Sequence, residues 1–404
     1  MKSGTPGFVG PRLREAREVR GLTAVTLSEM IGVSPQAISQ YENGRSTPSL
    51  EVLRGIAGTV NLPEQFFLRP APPYDRGTIF YRSMSSATKA ARARAERRFS
   101  WLRQIVRYLT EFVSLPESNF PDFNLPDDPL MLSDEEIEEA AGELREYWGL
   151  RDGPISNMVL LLENQGAVIA RDRLGADTLD GLSEFVSEDK RPYIVIGTDK
   201  GSPVRWRFDA AHELAHIVLH AKVAPERFSR PEHFKRIEEQ AHRFAGAFLL
   251  PAAPFGDDLF VANLDALLAI KPKWKVSVGM MITRARQLGF ISEETTKKLW
   301  INASRRGWRR VEPYDDTMEA EEPRLLRRSI ELVLTDGSQT PEDALDALAL
   351  PAVDVEALCG LPNGYLGTFS RVALHHTDGN LPRSQGTRTT PAEVISIRRP
   401  PRRQ

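Results

Sequence analysis

One stretch in the middle of the chain decides its fold: residues 207–220, with the sequence RFDAAHELAHIVLH. We predict a single helix here, at about residues 206–221. His212 and His216 are four residues apart, so their imidazole rings emerge on one face of that helix about a turn apart. This geometry allows both rings to bind one tetrahedral Zn²⁺ ion at about 2.0–2.1 Å.

Glu213, next to the first histidine, suits a catalytic role rather than that of a metal ligand. Zinc lowers the pKa of water toward about 7, and a neighbouring carboxylate can take up the released proton. The same carboxylate can then pass the proton to a leaving amine. The HExxH pattern is therefore typical of zinc peptidases, although two histidines at this spacing also occur as a surface pair.

The third metal ligand must come from another part of the chain. The extended motif of one peptidase class requires Gly and His at positions 219 and 222, where this chain has Leu219 and Lys222, and that class is excluded. A site of two histidines and one glutamate needs a carboxylate from a second helix. Glu238 borders the apolar stripe of a helix predicted at 231–250 and is the preferred ligand, with Glu239 as the alternative.

Two further histidines, His220 and His242, lie near this motif. His220 is two turns beyond His212, too far for the same metal, and we interpret it as a structural or substrate-side residue. His242 is one turn from Glu238, where it could either support the metal ligands or alter the site.

The N-terminal part of the chain predicts two short helices around a turn. Gly32 permits the positive φ that this turn needs, and Ser34 followed by Pro35 is a good start for the second helix. Ile38 points inward, which leaves polar side chains outward, where they suit base edges in the major groove. The predicted DNA-contacting residues are Ser34, Gln36, Ser39, Gln40, Asn43 and Arg45. A helical bundle used only for protein contacts is the alternative.

Composition and charge limit the class of protein. The 404 residues exceed one ordinary core, and the single cysteine, Cys359, excludes an intramolecular disulfide. No apolar run reaches membrane-helix length, so we expect a cytoplasmic protein without a membrane partner. Residues 1–110 carry 17 Lys and Arg against 8 Asp and Glu. This excess favours contact with phosphate, and a solvated helix face is the alternative.

The remaining pattern predicts a mainly α protein with a small β element, an α+β fold. A long arginine-rich helix is expected at 87–114, a helix capped by Ser133 and Glu136 follows, and short strands are expected at 167–170 and 193–196. The predicted divisions are an all-α helix-turn-helix bundle at 8–68, a linker with the basic helix at 69–130, a metal-binding domain at 131–300, a helical region at 301–362 and a disordered basic tail at 363–404.

The N-terminal residues resemble the lambda-repressor-like (Xre/Cro-type) helix-turn-helix family. The resemblance rests on Gly21-Leu22-Thr23, Ile31-Gly32-Val33-Ser34 and Ile38-Ser39-Gln40-Tyr41-Glu42-Asn43-Gly44-Arg45. It implies binding to a double-stranded DNA operator, and the two-fold habit of such proteins implies a homodimer. Ala24 departs from the family, which usually has a glutamine there that supports a phosphate contact.

Residues 207–220 and 237–251 together resemble the ImmA/IrrE-type metallopeptidase family. The resemblance implies a zincin-like domain with a Zn²⁺ cofactor and a protein substrate, often a helix-turn-helix repressor. It assigns the metal ligands to His212, His216 and Glu238 and the catalytic carboxylate to Glu213. Two positions depart from the family: Ala215 stands where glycine is common, and His242 replaces a usual asparagine.

Two functions follow from these resemblances. In the first, a DNA-binding transcriptional regulator carries a zinc-dependent endopeptidase domain, which cleaves a repressor or another regulatory protein. In the second, the peptidase-like domain is catalytically inactive and acts as a sensor within a transcription factor. The first assigns a hydrolytic reaction to Glu213, and the second does not.

Overall fold

The computed structural model describes residues 4–70, 80–81, 88–175, 179–199, 201–228, 230–367 and 396–397. Helices dominate these residues and a small sheet accompanies them, which confirms the predicted α+β class. Within the same residues, no helix combines the length and the apolar character that a membrane crossing requires.

The N-terminal residues form the predicted helical bundle. Thr23 and Ser34 cap the second and third helices by accepting hydrogen bonds from Thr26 N and Ala37 N, and Gly32 lies between these helices with φ of 70°. The elements are α1 (Gly10–Val19), α2 (Ala24–Ile31), α3 (Pro35–Glu42), α4 (Leu50–Val60) and a 3-10 helix at Glu64–Leu68.

The long arginine-rich helix is a core element rather than an exposed basic face. This helix, α5 (Lys89–Leu109), buries Trp101 completely, and two of its arginines are also buried. Arg98 pairs with Asp172, and Arg103 pairs with Glu184 at 3.8 Å. The buried part of the basic charge of α5 is therefore neutralised by acidic partners within the protein, which weakens the charge argument for phosphate contact.

The main sheet has four strands in the order β1-β4-β5-β3, with β3 and β5 parallel and β4 antiparallel to β5. The strands predicted at 167–170 and 193–196 are confirmed as β3 and β5, whereas β4 was not predicted because Ser183 and Glu184 interrupt its apolar pattern. A separate two-stranded sheet pairs β2 with β6. The strands are β1 (Phe80–Tyr81), β2 (Val113–Ser114), β3 (Val168–Asp172), β4 (Gly181–Val186), β5 (Arg191–Gly197) and β6 (Ser396–Ile397).

The remaining helices surround this sheet. Ser133 and Glu136 form the expected capping box at the start of the first of them. They are α6 (Asp134–Tyr147), α7 (Met158–Asn164), α8 (Pro203–Leu219), α9 (Pro225–Phe228), α10 (Pro231–Leu249), α11 (Ala252–Asp258), α12 (Leu264–Trp274), α13 (Val278–Gln287), α14 (Glu293–Arg305), α15 (Leu325–Thr335), α16 (Pro341–Leu348) and α17 (Ala352–Cys359).

Two hydrophobic cores share the sheet. Val168 and Val195 face the first core, which contains α5, the N-terminal bundle and α15 to α17. Ile169 and Ile194 alternate with them and face the second core, which contains α6 to α8 and α10 to α14. The sheet thus separates the N-terminal bundle from the helix that carries His212.

The predicted disordered tail, 363–404, falls mostly outside the described residues. Residues 363–367 are described, and among them Leu366 is buried in the first core. Glu356 holds this segment because its carboxylate accepts hydrogen bonds from Gly364 N and Leu366 N, both at 2.9 Å.

Candidate metal centre and DNA-reading helix

His212 and His216 lie on the buried face of α8 with their rings directed at the same point. Their Nε2 atoms are 3.0 Å apart, and both residues are almost completely inaccessible to solvent. Helix α8 begins at Pro203, and α7, β4, β5 and α10 pack around it. These elements enclose both rings.

Glu238 approaches the two histidines from α10. Its Oε2 lies 3.4 Å from His212 Nε2 and its Oε1 lies 3.5 Å from His216 Nε2. Ligand atoms of a tetrahedral zinc site with bonds of about 2.0–2.1 Å are separated by about 3.3 Å, so this set of donors fits Zn²⁺. Glu239, the alternative ligand, is about half exposed and lies 3.8 Å from Lys235 Nζ.

Glu213 is completely buried, and strand β4 fixes its position. Ser183 Oγ donates a hydrogen bond to its Oε2 at 2.6 Å. A Cβ atom at Gly181 would lie only 2.8 Å from Glu213 Oε1, so glycine at this position admits the carboxylate. The sequence did not indicate these contacts, because β4 was not predicted.

His242 comes closer to the candidate metal centre than the sequence suggested. Its ring centroid lies 4.6 Å from that of His212, and the potential ligand atoms of His212, Glu238 and His242 lie within 4.8 Å of one another. His242 Nδ1 is 2.7 Å from Glu238 O. Because a carbonyl oxygen only accepts, Nδ1 carries the proton and Nε2 keeps a lone pair for a metal.

His220 does not reach His212, as expected from its spacing, but it contacts His216. The two Nδ1 atoms are 3.0 Å apart, and His220 Nε2 is 3.1 Å from Gln240 Oε1. Burial and the neighbouring His216 lower the pKa of His220 well below its ordinary value. His220 is therefore neutral at physiological pH. It contacts Nδ1 of His216, whereas Nε2 of His216 faces Glu238.

The six residues predicted to contact DNA are all exposed on or beside α3. Two of them also have structural roles: Ser34 caps α3, and Asn43 donates to Ser39 O at 2.8 Å and accepts from Arg14 Nη2 at 2.9 Å. Within the described residues, Gln36, Gln40 and Arg45 make no side-chain hydrogen bond. Their polar groups are therefore available to bases or phosphates.

Comparison with known proteins supports both parts of the chain. A helix-turn-helix family model matches residues 13–67, and a model described as the IrrE N-terminal-like domain of the M78 peptidases matches residues 162–286. Two curated relatives are uncharacterized HTH-type transcriptional regulators, one from Sinorhizobium medicae and one from Rhizobium meliloti. Each is 34% identical over 70 residues, which cover 17% of this chain and 50% of the relative.

The two family models match different parts of the molecule. The chain spans about half the length of the curated relatives that it matches. The M78 match includes all of β3, β4, β5, α8 and α10, the elements around the candidate metal centre. The chain therefore joins an Xre-like helix-turn-helix domain at its N-terminus to an IrrE N-terminal-like domain of the M78 peptidase family.

Proposed function

We propose that this chain is a DNA-binding transcriptional regulator whose M78-family domain is a zinc-dependent endopeptidase. The observation that carries the proposal is the convergence of His212, His216 and Glu238 within 3.5 Å. Two neutral imidazoles and one carboxylate are the donor set of zinc hydrolases that leave the fourth position open for substrate or water. The match to the peptidase family supports the same assignment.

The metal ligands, Glu213 and Ser183 would each have a separate role in the reaction. A Zn²⁺ ion held by the three ligands would polarise the substrate carbonyl and lower the pKa of water. Glu213 would take a proton from the attacking water and return it to the amine nitrogen as the peptide bond breaks. Ser183 would hold the Glu213 carboxylate in place through its hydrogen bond.

The helix-turn-helix domain would direct this activity to an operator. Gln36 and Gln40 carry amide groups that can pair with adenine in the major groove, and Arg45 is available for a phosphate. Two half-sites and a homodimer are expected from the geometry of such domains. The proposed substrate is a regulatory protein, such as a repressor bound at the same operator.

Replacing Glu213 by glutamine tests the peptidase. The variant Glu213→Gln keeps the shape of the side chain but not its basicity, so we expect normal zinc content by elemental mass spectrometry. Cleavage should fall by about 10²–10⁴-fold, the usual contribution of a general base. New protein N-termini, compared between cells that express either form, measure that cleavage. Equal sets of N-termini would contradict the peptidase assignment.

The second candidate function, a metal sensor without hydrolytic activity, is favoured by His242. If its Nε2 occupied the fourth position, zinc would have four protein ligands, which is typical of closed structural sites. The variant His242→Asn separates the two functions. A peptidase should retain zinc and cleavage, whereas a four-ligand sensor should lose zinc affinity and keep its DNA-binding surface intact.

A further inference from the structure

A wide groove opens beside the candidate metal centre. Its volume is about 1170 Å³, and it lies between the start of α8, α10, α13, α14 and residues 308–315. Phe208 and His242, whose ring centroids are 5.7 Å apart, are both part of its lining. The rings of Phe208 and His242 lie 6.3 and 4.6 Å from that of His212, so the lining of the groove adjoins the candidate metal centre.

The lining of the groove combines aromatic and apolar surface. Trp300 and Trp308 are partly exposed within it, and Ile301 is 51% exposed. The floor depends on Gly279, where a Cβ atom would lie 2.9 Å from Trp300 Cη2. Flat aromatic surfaces that stay partly exposed are suited to an aromatic or large aliphatic side chain of a ligand.

The charged side chains that line the groove without a partner of opposite charge among the described residues are arginines. Arg305, Arg309 and Arg310 are exposed, and none has an acidic partner among the described residues. The acidic residues of the lining, Glu312 and Asp315, are engaged by Lys271 Nζ at 2.8 and 2.6 Å. The groove therefore presents unpaired guanidinium groups beside indole rings.

We propose that this groove selects the substrate segment next to the cleaved bond, and that it selects acidic segments carrying an aromatic side chain. The inference rests on the proposed peptidase function. Guanidinium groups bind carboxylates through paired hydrogen bonds, which gives direction as well as affinity. The chain's own C-terminal residues, 368–404, contain seven arginines and two acidic residues, so their charge opposes occupation of the groove.

The test measures binding to the full-length Glu213→Gln protein, so that no probe is consumed. One fluorescein-labelled peptide places glutamates around a phenylalanine, and a second has lysines in their place. We expect the acidic peptide to bind better, and the double variant Arg309→Glu/Arg310→Glu to weaken it about 10-fold, because attraction becomes repulsion. Arg306→Glu is the matched control, since Arg306 pairs with Asp265 and does not line the groove.

Each outcome bears on the proposal. Equal binding of both peptides, or equal effects of the double variant and Arg306→Glu, would overturn it. Labelled duplex DNA that loses affinity in the double variant, with no binding of the acidic peptide, would assign the arginines to nucleic acid instead. Acidic-peptide binding without cleavage by the wild-type protein would remove the peptidase function alone.

A second inference concerns a chain of hydrogen bonds behind His216. Gln240 Nε2 lies 2.6 Å from Pro129 O and 3.3 Å from Leu132 O. Since carbonyl oxygens only accept, this end of the amide is the NH₂ group, and Oε1 faces His220. His220 Nε2, at 3.1 Å from Oε1, must then carry the proton.

The tautomer of His216 follows from this orientation of the Gln240 amide. A neutral His220 with its proton on Nε2 has a lone pair on Nδ1, which accepts from His216 Nδ1 at 3.0 Å. His216 therefore carries its proton on Nδ1 and keeps a lone pair on Nε2. That lone pair is the one directed toward His212 and Glu238.

We infer that Gln240 and His220 are positioning residues, which hold His216 in the tautomer that can bind zinc. Hydrogen-bond partners of this kind orient the ring of a metal ligand and strengthen binding. The backbone carbonyls of Pro129 and Leu132 fix the orientation of the Gln240 amide. That amide determines which nitrogen of His220 carries the proton, and His220 in turn determines which nitrogen of His216 does. Because both residues are buried, water cannot replace either partner.

Nitrogen-detected NMR of the metal-free protein tests the tautomers without any substitution. We expect His220 with its proton on Nε2 and His216 with its proton on Nδ1, and the opposite assignment for His220 would overturn the inference. Zinc affinity, measured by competition with a chelator, should fall about 10-fold or more in Gln240→Leu. Gln104→Leu, which removes a similar hydrogen bond to Leu348 O in the first core, should leave it unchanged. An equal loss of affinity in both variants would also count against the inference.

Discussion

At the scale of single residues, Asp354 of α17 joins parts of the chain that are distant in sequence. Its carboxylate accepts hydrogen bonds from Arg20 Nη2 at 2.7 Å and Arg98 Nη1 at 2.5 Å, and Arg98 also binds Asp172. Burial alone would raise the pKa of Asp354, but the hydrogen bonds and charges of Arg20 and Arg98 outweigh it and lower that pKa. The carboxylate is therefore ionised wherever the protein is folded at neutral pH.

We predict that Asp354→Asn lowers the free energy of unfolding by about 3–5 kcal/mol at pH 7, because Arg98 stays buried without its full charge compensation. The folded pKa lies below the unfolded one, so the stabilisation is present above about pH 4 and is lost as the pH falls through the folded pKa. Urea denaturation at several pH values measures the difference, with Asp257→Asn as an exposed control. A constant difference down to acidic pH would contradict this assignment.

The sequence predicts only those residues of the candidate metal centre whose positions follow from the spacing of residues within a helix. Four residues of separation place His212 and His216 on one face in any helix, and Glu238 followed from the apolar stripe of a second helix. Ser183 and Gln240 could not be predicted, because their roles depend on how β4 and α10 pack against α8. Such contacts are set by tertiary packing.

At the scale of secondary structure, α5 illustrates why charge alone is a poor guide to exposure. Its apolar residues have helical spacing, and the helix was predicted correctly. Its arginines find acidic partners far along the chain: Arg97 pairs with Glu18, and Arg103 Nη2 with Glu188 at 3.1 Å. The sequence contains both members of each pair, but nothing local indicates which acid meets which arginine.

The stability of α3, the proposed DNA-reading helix, can be tested separately from its proposed contacts with DNA. Ser34 caps it by accepting from Ala37 N at 3.2 Å, and we predict that Ser34→Ala costs about 1 kcal/mol of stability. The same change should also weaken operator binding, because in helix-turn-helix complexes the start of the second helix of the motif faces the major groove of DNA. Ser292→Ala removes an equivalent cap from α14 and should affect stability but not binding. Calorimetry and a gel-shift assay measure the two effects, and unchanged DNA affinity in Ser34→Ala would contradict the prediction.

At the scale of the whole molecule, the N-terminal bundle is built into the first core. Trp101 of α5 donates to Glu15 of α1 at 2.7 Å, and the Arg12 guanidinium lies 3.8 Å above the Phe66 ring, which itself packs on Trp101. The same core continues into α15 to α17. The stretch at 69–130, which was predicted to be a linker with a basic helix, thus contributes its helix to the structure that holds the DNA-reading domain.

This arrangement predicts that the helix-turn-helix domain does not unfold alone. Domains joined by flexible linkers open separately, whereas elements that share a core open together. In hydrogen exchange of the full chain, the amides of α1 and α4 should therefore be protected to about the same degree as those of α5. Trp101→Ala, which removes the indole between them, should lower protection in all three helices at once. Loss of protection in α5 alone would mean that the N-terminal bundle is stable by itself. A structural change at the candidate metal centre would then not be transmitted through the sheet and the first core to α3.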